Sequence, residues 1–89
     1  MPYISKEIRE VLDKKIEEIH HLLHSVLYGN EVYGILNYIT TRLLLGTCPQ
    51  RYHDYNALIG VLECSKLELY RRAIADYEDK KREENGDVY

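Results

Sequence analysis

Phenylalanine and tryptophan are absent from these 89 residues, and all nine aromatic side chains are tyrosines. Every ring in the chain therefore carries a hydroxyl, and each buried ring must pair its oxygen or lose roughly 1–3 kcal/mol. That excludes a wholly greasy interior and favours a ligand pocket or a hydrated interface. Long apolar runs are also missing. The longest uninterrupted aliphatic stretch, Leu43-Leu44-Leu45, is far below the ~20 residues needed to cross a bilayer, so no membrane partner is expected. An excess of positive charge is lacking as well. Lys and Arg number 12 against 15 Asp and Glu, a net charge of −3, which argues against a dedicated nucleic-acid binder while leaving room for a local basic site. The two cysteines, Cys48 and Cys64, have no metal-type spacing and no secretory pattern before them. They read as reduced thiols of a soluble protein in a cytoplasm.

What is present is helical punctuation. Ser5 is placed to cap a first helix with Glu7 in its first turn, and Ile4, Ile8, Leu12, Ile16, Ile19, Leu23 and Val26 recur at spacings of three and four as far as Gly29. Asn30 can cap a second helix carrying Val32, Leu36, Ile39 and Leu43, which stops at Gly46. After a loop containing Cys48-Pro49, Asp54 is expected to cap a third helix through Leu58, Leu62, Leu69, Ala73 and Tyr77. No segment alternates as a strand would. The predicted architecture is all-α, a three-helix hairpin or bundle over about 5–28, 31–45 and 55–82. It forms a single domain over 1–89, with 83–89 as a short C-terminal tail. At this size one chain buries only about 60% of the surface that it exposes unfolded, so homo-oligomerisation is expected to complete the bundle. The apolar arc of the first helix, about 160° wide, is broader than one neighbouring helix can cover. On the second helix Gly34, Asn37 and Thr41 edge the apolar arc as a strip of small and amide groups.

The third helix places polar groups where leucines would be expected. Asn56, Glu63, Lys66 and Tyr70 fall inside the arc that runs from Leu58 through Leu62 and Ile59 to Ile74 and Leu67. A buried charge without a partner is too costly to keep, so two readings follow. Either Glu63 and Lys66 pair with each other and with Asn37 or Arg42 in a structural network, or they line a pocket for a polar ligand. Gly60, one turn earlier, would admit a close backbone or ligand. Arg71 and Arg72 lie beside this arc, and Arg51, Tyr52 and His53 precede the helix N-terminus, where free N–H groups favour anions. Together they suggest phosphate binding, although no glycine-rich phosphate loop accompanies them.

Other chemistries find less support. Glu17, His21 and His24 share a face of the first helix, beside His20, but it is the polar face, opposite Ile8 and Ile19. Glu7 with Glu10, or Asp76 with Asp79, supplies half of a paired-carboxylate site such as all-α nucleotide pyrophosphohydrolases use to hold Mg²⁺. Both pairs lie near helix ends on polar faces. No nucleophile elbow surrounds Cys48, Cys64 or Ser65. No metal, cofactor or catalytic residue is assigned.

Several stretches carry a resemblance. They are Met1-Pro2-Tyr3-Ile4, Leu36-Asn37-Tyr38-Ile39-Thr40, Ile59-Gly60-Val61-Leu62-Glu63, Leu69-Tyr70-Arg71-Arg72, Tyr77-Glu78-Asp79-Lys80-Lys81 and the ending Glu84-Asn85-Gly86-Asp87-Val88-Tyr89. In these the chain resembles a small family of uncharacterised helical proteins from bacteriophages and gut bacteria, across most of its length. The resemblance implies a short phage-type accessory protein, helical and self-associating, and brings no active site with it. Phages make small oligomeric proteins that sequester the nucleotide signals of bacterial immunity, and this chain is similar to them in size and helical character but not in motif.

The functional expectation is a non-catalytic homo-oligomer that acts as an anti-defence sponge for a small phosphate-bearing, nucleotide-type ligand. Arg51, Arg71 and Arg72 would meet phosphates, Asn37, Glu63 and Lys66 would read hydrogen-bonding edges, and Tyr70, Tyr55 or Tyr38 would stack or donate. The alternatives are a structural or interaction protein that acts through the first helix without a ligand, and a metal-dependent nucleotide hydrolase.

Overall fold

The computed structural model describes residues 3–25 and 31–89, and all regular structure among them is helical. The chain divides into two compact units, Met1–Cys48 and Pro49–Tyr89. No helix among the described residues is long and apolar enough to cross a membrane.

The first unit holds α1 (Lys6–Ser25) and α2 (Glu31–Leu45). Ser5 caps α1 as its position predicts: the Ile8 N–H donates to Ser5 Oγ at 3.3 Å and the Arg9 N–H to the Ser5 carbonyl at 3.0 Å. Leu23, 8% exposed, is the one buried residue among those described, and Ile19 is half-buried. The expected helix end at Tyr28 and Gly29, the apolar positions Val26 and Leu27, and the Asn30 cap lie outside the described residues. In α2 the half-buried positions are Val32, Ile35, Ile39 and Leu44. Leu36 and Leu43, placed on the apolar face by the sequence, are exposed instead. The helix stops at Gly46, whose N–H donates to the Arg42 carbonyl at 3.1 Å.

The second unit is one long helical rod. It consists of α3 (Tyr52–Leu69), a π-helical turn at Tyr70–Ile74, and α4 (Ala75–Asn85). Its start departs from expectation. Arg51, extended at φ −115°, occupies the cap position without a side-chain cap bond, and Asp54 lies inside the first turn. The Asp54 carboxylate accepts from Arg51 Nε at 2.8 Å, so it ties the chain back while sitting at the electropositive end of the helix. The far end departs too. The charged run Asp79–Glu84, read as a helix end and tail, stays helical to Asn85, supported by Asp79–Arg82 (3.7 Å) and Lys81–Glu84 (3.3 Å) pairs one turn apart. Gly86 then ends the helix with φ +82° while its N–H donates to the Arg82 carbonyl at 2.9 Å. Only residues 86–89 are tail.

The π turn resets which residues share a face. The Ala75 N–H donates to the Tyr70 carbonyl, five residues back, so the turn absorbs one extra residue. At 100° per residue, Leu58 and Tyr77 would stand about 100° apart on an uninterrupted helix, whereas absorbing one residue brings them back into line.

Candidate functional site

A polar line runs beside that apolar face. Glu63 and Tyr70, seven residues apart, share one side of the rod, and the π turn brings Glu78 onto the same side. The Tyr70 hydroxyl donates to Glu78 Oε2 at 3.3 Å. The Glu78 carboxylate opposes ionisation, first by its charge and then by this hydrogen bond, and holds the Tyr70 phenol above its ordinary range. Lys66 Nζ stands 3.0 Å from Glu63 Oε1, one turn away.

The sequence placed this trio among covered apolar residues, and here the structure corrects it. The Glu63 and Lys66 side chains are 58% and 68% exposed, and Tyr70 is exposed as well. A solitary helix has no interior in which to bury them. Water solvates both charges, so the pair needs no further partner.

The arginines divide by position. Arg72 Nε lies 3.3 Å from Glu68 Oε2, and Arg51 is bound to Asp54. Arg71 has no carboxylate within ion-pair distance among the described residues, which leaves its guanidinium available to an anion. Arg51 lies twenty residues before Arg71, about 30 Å along the rod, so the two cannot hold one phosphate on a single chain. Asn37 belongs to the first unit, where its Oδ1 accepts from Thr41 Oγ1 at 3.4 Å. One turn on, Arg42 donates to the Tyr38 hydroxyl at 2.8 Å. The second unit thus groups Glu63, Lys66, Tyr70 and Arg71 on adjoining faces and sets Arg51 and Arg72 apart.

Sequence reasoning missed the C-terminal hook. An open cleft of about 390 Å³ lies where the tail turns beside α4, lined among others by Tyr77, Lys81, Arg82, Val88 and Tyr89. The Lys81 ammonium sits 5.6 Å from the Tyr77 ring centroid, and the Tyr89 N–H donates to Asp87 Oδ1 at 3.1 Å. Asn85-Gly86-Asp87 signals the turn in the sequence, but nothing there shows that the tail bends beside the helix. The π turn left a fainter sign, the spacing of five between Leu69 and Ile74.

Among the described residues no three His, Cys, Asp or Glu side chains are grouped to hold a metal ion, and Glu17, His21 and His24 form no such set. Cys48 is half-buried, Cys64 is exposed, and both are free thiols. A family model described as a domain of unknown function (DUF6899) matches residues 1–88. No curated protein and no solved structure matches the chain.

Proposed function

We propose, for a chain that belongs to the DUF6899 family, a non-catalytic protein that works as an assembly of its own copies and sequesters a small phosphate-bearing, nucleotide-type ligand. One observation carries the assembly. Ile8, Leu12 and Ile16 on α1, and Leu62, Leu69, Ile74 and Tyr77 on the rod, are between 39% and 61% exposed. Fully covering one such side chain stabilises an assembly by roughly 1.5–3 kcal/mol, a gain that a lone helix cannot realise by itself. The ligand part rests on Arg71, a cation without a carboxylate partner among the described residues, next to the Tyr70 phenol. Within an assembly, Arg51 and Arg72 from other positions would add charge, with Asn37, Glu63 and Lys66 reading polar edges. The same proposal places the protein in a bacterial cytoplasm as a phage-encoded sponge for an immune signal, its capacity set by its copy number.

A second reading has its own observation. Glu63 with Lys66, Glu68 with Arg72 and Asp54 with Arg51 already satisfy one another, which favours an interaction protein that needs no ligand.

Native mass spectrometry of freshly purified protein separates the readings. An oligomer carrying a small molecule, recovered intact after heating, supports sequestration. A clean oligomer that no nucleotide stabilises in a thermal-shift panel leaves the interaction protein standing and sinks the ligand. A monomer at all concentrations sinks both, and a ligand recovered as hydrolysis products identifies an enzyme.

A further inference from the structure

Tyr55, Leu58, Leu62, Ser65 and Leu69 recur at alternating spacings of three and four, the a and d positions of a heptad. Past Leu69 the sequence breaks the pattern, because the next two places in a continuous α-helix are Arg72 and Asp76. The π turn at Tyr70–Ile74 absorbs one residue, and Ala73 and Tyr77 take those places. The stripe then continues unbroken from Tyr55 to Tyr77, about 33 Å along the rod.

We propose that this stripe is the seam of a parallel, in-register pair formed by two copies of the chain, an inference that rests on the self-association proposed above and specifies its partner and orientation. Two features commit the seam to a second copy. Tyr55, Leu62, Leu69 and Tyr77 along it and Ile59, Val61 and Ile74 at its edges are 39–64% exposed, together a surface on the order of 700 Å² per chain, close to the ~800 Å² per partner that stable interfaces bury. The flanks are also asymmetric. Asp54, Val61, Glu68 and Asp76 border one side of the seam, while Ile59, Lys66, Ile74 and Lys81 border the other. In a parallel pair the two unlike flanks face each other, with Asp76 opposite Lys81 of the second copy; an antiparallel pair would set the acidic flank against itself. The polar line of Glu63, Tyr70 and Glu78 stays outside the seam and remains open to a ligand.

The test is a cysteine placed in the seam. In a full-length chain with Cys48→Ser and Cys64→Ser, Ser65→Cys puts one thiol at a d position, where a parallel in-register pair brings the two α-carbons within the ~4.4–6.8 Å that a disulfide spans. Mild oxidation should convert most of the protein to a covalent dimer with helical content unchanged, while Ala57→Cys in the same background, facing away from the seam, should stay uncoupled. An assembly seen by light scattering in which the Ser65→Cys thiols fail to couple overturns the parallel seam and leaves self-association intact. A chain that remains monomeric at 100-fold the concentration used for coupling overturns both. Equal coupling at both positions also refutes the seam.

Discussion

The Tyr70 hydroxyl and the Glu78 carboxylate meet at 3.3 Å across eight residues of one helical rod. On a continuous α-helix those positions stand about 80° apart, and the π turn that begins at Tyr70 supplies the missing rotation. Tyr70 is thus both the first residue of the distortion and the side chain that clasps across it. The clasp and the apolar stripe have one cause, a single absorbed residue.

That clasp has a pH signature. The Glu78 charge raises the Tyr70 phenol above its ordinary value near 10, so the folded chain holds this proton more tightly than the unfolded one. The stabilisation is complete below the unfolded phenol pKa and is lost as pH rises through the higher folded value. Ultraviolet difference titration should therefore show one of the nine tyrosines ionising late. Glu78→Gln should bring that component back toward the rest, and Tyr70→Phe should remove it. A wild-type titration identical to that of Glu78→Gln would show that no clasp forms in solution.

Glu63→Ala tests the exposed pair. Buried, the pair would cost several kcal/mol to break, but with both side chains more than half exposed its loss should cost under ~1 kcal/mol and move the melting temperature by only a few degrees. Leu62→Ala, in line with the seam, should instead weaken self-association at least tenfold. Sedimentation and thermal melts of the two variants give the comparison, and the reverse order would mean that the polar line, not the apolar stripe, is covered in the assembly.

How much of this is legible in the sequence follows from where each signal resides. Ser5 and Gly46 act through local backbone chemistry, so residue type alone locates those ends. Asp54 misleads because an acid suits both the cap and the first turn, and only the Arg51 pairing at 2.8 Å decides between them. The charged run to Asn85 resembles a tail because it buries nothing, yet ion pairs one turn apart keep it helical. The arc holding Glu63, Lys66 and Tyr70 is readable as a face, but whether a face is covered depends on what packs against it, which no spacing encodes. The π turn is hidden because one extra residue changes the phase of the pattern while leaving its composition untouched.

Gly86→Ala should alter the hook. Nothing lies within 4 Å of a Cβ at this position, so the whole cost is conformational, on the order of 1–3 kcal/mol for an L-residue held at φ +82° and ψ 155°, a region open essentially only to glycine. The cheaper outcome is for alanine to take helical angles and carry α4 onward. Helical ellipticity should rise slightly, and the cleft beside Tyr77 and Tyr89 should be lost. Hydrogen exchange reads this out as new protection at residues 87–89; unchanged exchange there would mean that the tail keeps its turn without glycine.

Deleting Arg72 should leave self-association intact, although removing a residue from the middle of a helix ordinarily rotates everything beyond it by about 100°. The π turn already holds one residue in excess, so a chain shortened there can close into a continuous α-helix with Leu58 and Tyr77 eighteen positions apart, five whole turns, and therefore in line. The pairing of Tyr70 with the Glu78 carboxylate becomes an ordinary seven-residue relation on one face. The same deletion made at Ala57 has no such reserve and turns Tyr55 away from Leu58 and every later seam position. Light scattering at matched concentrations should find the Arg72 deletion assembled within about twofold of wild type, and the Ala57 deletion weakened by at least tenfold relative to it. Equal loss in both would mean that the π turn does not set the register of the stripe.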